Sequence, residues 1–143
     1  MIRRAILGIV VTFVFAVIFA SNSGVKSVAA QGDVKEIAVA AKKFDFTPAE
    51  IRVKVGTRVR LLVTSTDRDH GVEISPIADG ADKNAEPGLK FDASVSKPEF
   101  KLPQDQAVPI EFTAAQPGTY SFKCSVLCGV GHHNMKGQII VEP

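Results

Sequence analysis

The 143-residue chain contains no tryptophan, a single tyrosine, two cysteines, two methionines and three histidines. Two cysteines allow one disulfide at most, so the fold must rest on an apolar core and not on a covalent frame. No stretch beyond the first thirty residues sustains a helical period over a long window, which argues against helices. After Ala20 there is no second long hydrophobic run, so a two-helix membrane anchor is not expected. A strong charge of either sign is also missing. The first thirty residues hold Arg3, Arg4 and Lys26 and no acid, which leaves 14 basic against 15 acidic residues and a formal charge of −1 for the remainder. The slight positive balance of the whole chain therefore belongs to its leader and gives no support for a nucleic-acid partner.

That leader is MIRRAILGIVVTFVFAVIFASNSGVKSVAA. Arginines precede an uncharged run of 16 residues, Ala5 to Ala20, and the segment closes on Val28, Ala29 and Ala30. This is the layout of a secretory signal peptide, cleaved after Ala30, or of a single N-terminal membrane anchor if it is retained. Its arginines do not sit in a twin-arginine motif, and no cysteine follows the run to accept a lipid. Residues 31–143 are then expected to form one exported domain in a periplasmic or otherwise extracytoplasmic setting, where two cysteines ordinarily suggest a disulfide.

Period-two alternation dominates that domain. In FDFTPAEIRVKVGTRVRLLVTST, Ile51, Val53 and Val55 alternate with Arg52 and Lys54, Gly56 breaks the run, and Val59, Leu61 and Val63 resume it. The pattern predicts two strands joined by a turn. Further strands are expected at Ile37–Ala41, Val108–Thr113, Thr119–Lys123 and Gln138–Val141. Short strands at such spacing predict an all-β fold, a two-sheet sandwich or a small barrel. Residues 75–98, rich in Pro, Gly, Asp and Ala, read as a long loop or a short irregular excursion at one end of it.

Both cysteines, two of the three histidines and the only internal methionine fall in one stretch, CSVLCGVGHHNM, residues 124–135. Alternation along the preceding strand puts Tyr120, Phe122 and Cys124 on one face, opposite Ser121 and Lys123. Cys128, His132, His133 and Met135 follow before GQIIV starts the last strand. Thiolate, imidazole and thioether form a soft set that suits copper better than calcium or magnesium; zinc competes, since Cys and His also hold it. A mononuclear blue-copper site needs one cysteine, two histidines and a weak methionine. The second imidazole must then come from outside the loop, and the one distant histidine is His70, in TSTDRDHGVEI just beyond the strand ending near Ser65. A local Cys124–Cys128 disulfide is the plain alternative.

The spacing Cys-X3-Cys-X3-His-X2-Met, with Asp67 three residues before His70, resembles the dinuclear CuA centre in the cupredoxin domain of cytochrome c oxidase subunit II. The tail GHHNMKGQIIV is most similar to the B-type heme-copper oxidases. A looser likeness runs from Phe44 to Val141 through the pattern F-X-F-X-P-X-X-I-X-V-X-X-G, shared by many cupredoxins.

The resemblance implies a Greek-key sandwich holding two copper ions. Cys124 and Cys128 would bridge them, His70 and His132 would each bind one, and Met135 and the backbone carbonyl of Val126 would be weak ligands. It also implies a cytochrome c or small copper protein as electron donor and a heme-copper oxidase subunit I as companion. Two departures limit it. Val126 stands where many subunit II chains carry a magnesium-binding Glu, and without tryptophan the aromatic electron-entry patch of many relatives has no counterpart. His133 is expected to face solvent or to support the ligands from behind, and Phe44, Phe46, Tyr120 and Phe122 to belong to the core. A free-standing periplasmic cupredoxin, carrying electrons or storing or delivering copper, is the other reading of the same residues.

Overall fold

Each long strand among the described residues buries one apolar face, and two sheets form to bury those faces against each other. The computed structural model describes residues 33–143; the expected leader and its cleavage site lie outside them. Ten strands follow in order: β1 (Val34–Lys42), β2 (Asp45–Thr47), β3 (Glu50–Lys54), β4 (Arg58–Ser65), β5 (His70–Ile74), β6 (Leu89–Phe91), β7 (Glu99–Leu102), β8 (Ala107–Ala114), β9 (Gly118–Lys123) and β10 (Lys136–Glu142). One sheet runs β2-β1-β4-β8-β6 and the other β3-β10-β9-β5-β7. The all-β, two-sheet sandwich expected from the alternation is what forms.

Strand β4 shows the principle. Val59, Leu61, Val63 and Ser65 point into the sandwich and are buried, while Arg58 and Arg60 point out. Both arginines reach Glu111 on the adjacent β8, at 3.1 and 2.8 Å. The turn between β3 and β4 crosses from one sheet to the other. It uses Gly56 at φ +85°, a conformation that costs a side-chain-bearing residue dearly, and the Gly56 N–H donates to Ala114 O at 2.7 Å.

Residues 75–98 are less irregular than their composition suggests. Within them β6 pairs with β8, and Leu89 is fully buried. Gly88 is seated against the Tyr120 ring, where a Cβ would fall 1.8 Å from the hydroxyl oxygen. Besides β6, three other short strands escaped the alternation signal: β2, β5 and β7. Of these β5 matters most, because His70 is its first residue and not part of a connecting loop.

Candidate metal centre

The neighbouring strands β5, β9 and β10 bring the donors together at one end of their sheet. Strand β9 delivers Cys124 immediately after Lys123, and Met135 directly precedes β10. The Cys124 N–H donates to Met135 O at 2.9 Å, closing residues 124–135 into a loop whose two ends are locked to each other. On the other side of β9, β5 places His70 beside Cys124, and the Ser125 N–H donates to Gly71 O at 3.2 Å. Gly71 leaves room for the ligand loop there. A Cβ on it would lie 2.4 Å from Ser125 Oγ and 2.8 Å from Val126 Cγ2.

The donors form one cluster. Cys124 Sγ is 3.7 Å from Cys128 Sγ and 3.8 Å from His70 Nδ1. Cys128 Sγ in turn is 3.8 Å from His132 Nδ1 and 3.9 Å from Met135 Sδ. The Val126 carbonyl oxygen lies 3.2 Å from Cys124 Sγ. All six predicted site residues therefore converge. His70, Cys124, Cys128 and Met135 are buried, His132 is half-buried, and His133 is exposed, as expected.

Both thiols are free, and their separation is far beyond the 2.05 Å of a disulfide. Two sulfurs 3.7 Å apart can be bridged by a metal about 2.3 Å from each, so the spacing fits shared thiolate ligation. Burial pushes the Cys128 thiol up, and the neighbouring Cys124 raises it further. Deprotonating two adjacent buried thiols without a cation is costly, whereas a bound metal removes their protons outright. The donor set is soft and lacks the oxygen-rich cage that calcium or magnesium needs.

Supporting contacts orient these donors. His70 Nε2 lies 2.8 Å from Asp67 Oδ1, which leaves Nδ1 directed at the sulfurs. Burial works to raise the Asp67 carboxyl, but hydrogen bonds from His70 and from the Lys43 N–H outweigh it and hold it below the usual carboxylate range. Two further contacts were not expected from the sequence. Arg68 Nη1 donates to the Cys128 carbonyl at 2.9 Å. Phe44, expected as core alone, lays its ring against the ligand loop, where a Cβ on Gly131 would fall 2.3 Å from ring carbons. The glycine pair in CGVGH was the signal for that close approach.

A two-sheet sandwich with a buried Cys, His and Met cluster at one pole defines a metal-binding β-domain of the soft, copper-favouring kind. The chain belongs to the cupredoxin-like domain family, whose sequence profile matches residues 8–141. It is 30% identical over 104 residues to each of two proteins named cytochrome c oxidase subunit 2 from Thermus thermophilus. The match covers 73% of this chain but only 63% and 51% of those relatives. Among solved structures it is similar to a chain of a heme-copper terminal oxidase dimer, with 29% identity, a TM-score of 0.55 and coverage of 80% of this chain and 68% of the other. It is also similar to auracyanin from Roseiflexus castenholzii, with 26% identity, a TM-score of 0.53 and coverage of 76% and 98%. The chain is thus a cupredoxin domain related to oxidase subunit 2.

Proposed function

We propose that this protein is a single-electron carrier with a dinuclear copper centre, acting as subunit II of a heme-copper oxidase beside a subunit I. One observation carries the reading. Two buried thiols stand 3.7 Å apart, and each has a different imidazole Nδ1 at 3.8 Å. A mononuclear blue-copper site has no use for the second thiol, and a tetrahedral zinc site of two Cys and two His has none for Met135, 3.9 Å from Cys128 Sγ, whereas two coppers sharing both sulfurs use every donor.

In this reading Cys124 and Cys128 bridge, His70 and His132 each terminate one side, and Met135 and the Val126 carbonyl lie further out. Two coppers so held would share one unpaired electron and take up or release single electrons with little rearrangement. The chain's part is to hold the donors still and dry: the core buries the thiols, Asp67 orients His70, and the Cys124–Met135 backbone bond fixes the loop. Leu127 and Val130, exposed on the same loop, suit it as the face offered to a cytochrome c or small copper protein. Residues 1–30 would export the domain or anchor it at the membrane.

The test is copper loading of the full chain with its thiols kept reduced, followed by metal analysis and electron paramagnetic resonance. Two coppers per chain sharing one electron equally are expected, and Cys128→Ser is expected to abolish that spectrum. One localised copper, or a Cys128→Ser protein with an unchanged spectrum, refutes the bridged centre.

A further inference from the structure

Arg68 lies in the segment Asp67-Arg68-Asp69-His70, between the end of β4 and the candidate ligand His70. It is held from two sides. Its carbonyl accepts a hydrogen bond from the buried Ser65 hydroxyl, and its guanidinium donates to the carbonyl of Cys128 at 2.9 Å. The side chain thereby ties the segment carrying one imidazole to the loop carrying both thiols. Its charge has no paired carboxylate, since none of the ion pairs among the described residues includes Arg68. The adjacent acids are engaged elsewhere. Asp67 takes His70 and the Lys43 N–H, and Asp69 Oδ1 accepts from the Gln104 N–H at 2.9 Å.

We propose that Arg68 is a positioning residue that steadies the Cys128 side of the centre and, through its unpaired charge, raises the centre's midpoint potential. The inference rests on the copper electron-carrier reading above. Reduction places one more negative charge on the cluster, and a fixed cation bonded to the backbone of a sulfur ligand lowers the energy of that state relative to the oxidised one. Arg68 is exposed, so the effect must weaken as salt screens it.

The experiment uses the full chain loaded with copper, unmodified and as Arg68→Met, Arg68→Gln and Arg68→Lys. Copper per chain and the paramagnetic resonance spectrum are recorded first, then the midpoint potential. Potentials are compared at about 0.01 M ionic strength, where the Debye length is about 30 Å, and at about 1 M, where it is about 3 Å. Gln keeps an N–H donor without the charge, and Lys keeps the charge without the planar fork. The expected result is a lower potential in Met and Gln, a near-native one in Lys, and differences that shrink at high salt, all with an unchanged copper count. An Arg68→Met potential equal to that of the unmodified protein overturns the inference. So does recovery by Gln with none by Lys, which would assign the effect to the hydrogen bond alone. If Met loses its copper, Gln against Lys decides by the same criterion. An unmodified protein without the two-copper spectrum refutes the proposed function itself; one that has the spectrum but ignores residue 68 refutes this inference only.

Discussion

Gly131→Ala in the metal-free protein tests whether the ligand loop is seated against the sandwich before any metal arrives. Gly131 has φ −87° and ψ 5°, the conformation of the third residue of a type I turn, which is open to alanine. On backbone entropy alone the substitution should stabilise the fold by about 0.4–1 kcal/mol. The structure reverses that sign. The new Cβ would fall 2.3 Å from Phe44 Cγ and Cδ2 and 2.8 Å from Cε2, so the ring or the loop must withdraw by roughly 1 Å to restore ordinary contact. Overpacking of that size costs about 1–3 kcal/mol, or roughly 4–12 °C in Tm for a domain of this length. Thermal melting of the apoprotein measures it, and Phe44→Leu supplies the control. With the ring gone, Gly131→Ala should cost about 1–3 kcal/mol less than it does beside Phe44. An apoprotein made more stable by Gly131→Ala, or a cost that Phe44→Leu leaves unchanged, would refute the seating of the loop on Phe44.

Three further outcomes are expected in the apoprotein. Tyr120→Phe removes the hydroxyl that donates to Gln116 O at 2.8 Å from a fully buried ring, and should lower stability by about 0.5–1.5 kcal/mol in denaturant titration; no change would mean the bond contributes nothing. Met135 is fully buried, so Met135→Ala should cost about 2–5 kcal/mol and the volume-conserving Met135→Leu under about 1.5, and equal costs would show that the side chain does not pack as described. Arg60 chiefly, with Arg58 adding to it, holds the Glu111 carboxyl below its usual range against a smaller opposing effect of burial. A depressed folded-state pKa stabilises above the unfolded value of about 4.3 and is lost as pH falls through the folded one. Glu111→Gln should therefore lower Tm at neutral pH, with the gap to the unmodified protein closing as pH falls below the unfolded carboxylate value; a gap that stays constant into acid would contradict the ion-pair account.

What could be read from the sequence was whatever repeats or clusters along the chain. Strands β3, β4, β8, β9 and β10 alternate over enough residues to declare themselves, and Val59, Leu61 and Val63 occupy the buried face their spacing predicts. Strand β5 has only five residues, starts with a histidine and is buried at four of the five, so no alternation marks it. Its place is set by pairing with β7 and β9, which is a tertiary fact. The four side-chain donors of the 124–135 loop were legible because they cluster in one short stretch, the Val126 carbonyl only through the family resemblance, and His70 only because the chain has so few histidines. The contacts of Arg68 and Phe44 were missed for a different reason. Arg68 meets a backbone carbonyl, which imposes no residue pattern, and Phe44 lies against the bare Cα positions of Gly129 and Gly131, a glycine pair that marks a close approach without naming what approaches.

The same contacts bear on how the centre comes to exist. A zinc finger owes its fold to its metal, because its ligands are nearly all the order it has. Here each donor is placed by something other than a metal. Cys124 continues the buried face of β9, Met135 fills the core and locks back onto Cys124, and His70 begins a paired strand and is turned by Asp67. The loop between them is held down by Phe44 on its glycines and by Arg68 on the Cys128 carbonyl. With the geometry set by packing and backbone hydrogen bonds, the free energy of metal binding goes into affinity and into stabilising the folded state by mass action, and little is spent on ordering the site. A donor cage that is already in place also resists rearrangement when charge arrives, the property a single-electron carrier requires and a copper-delivery protein, which must release its ion, does not.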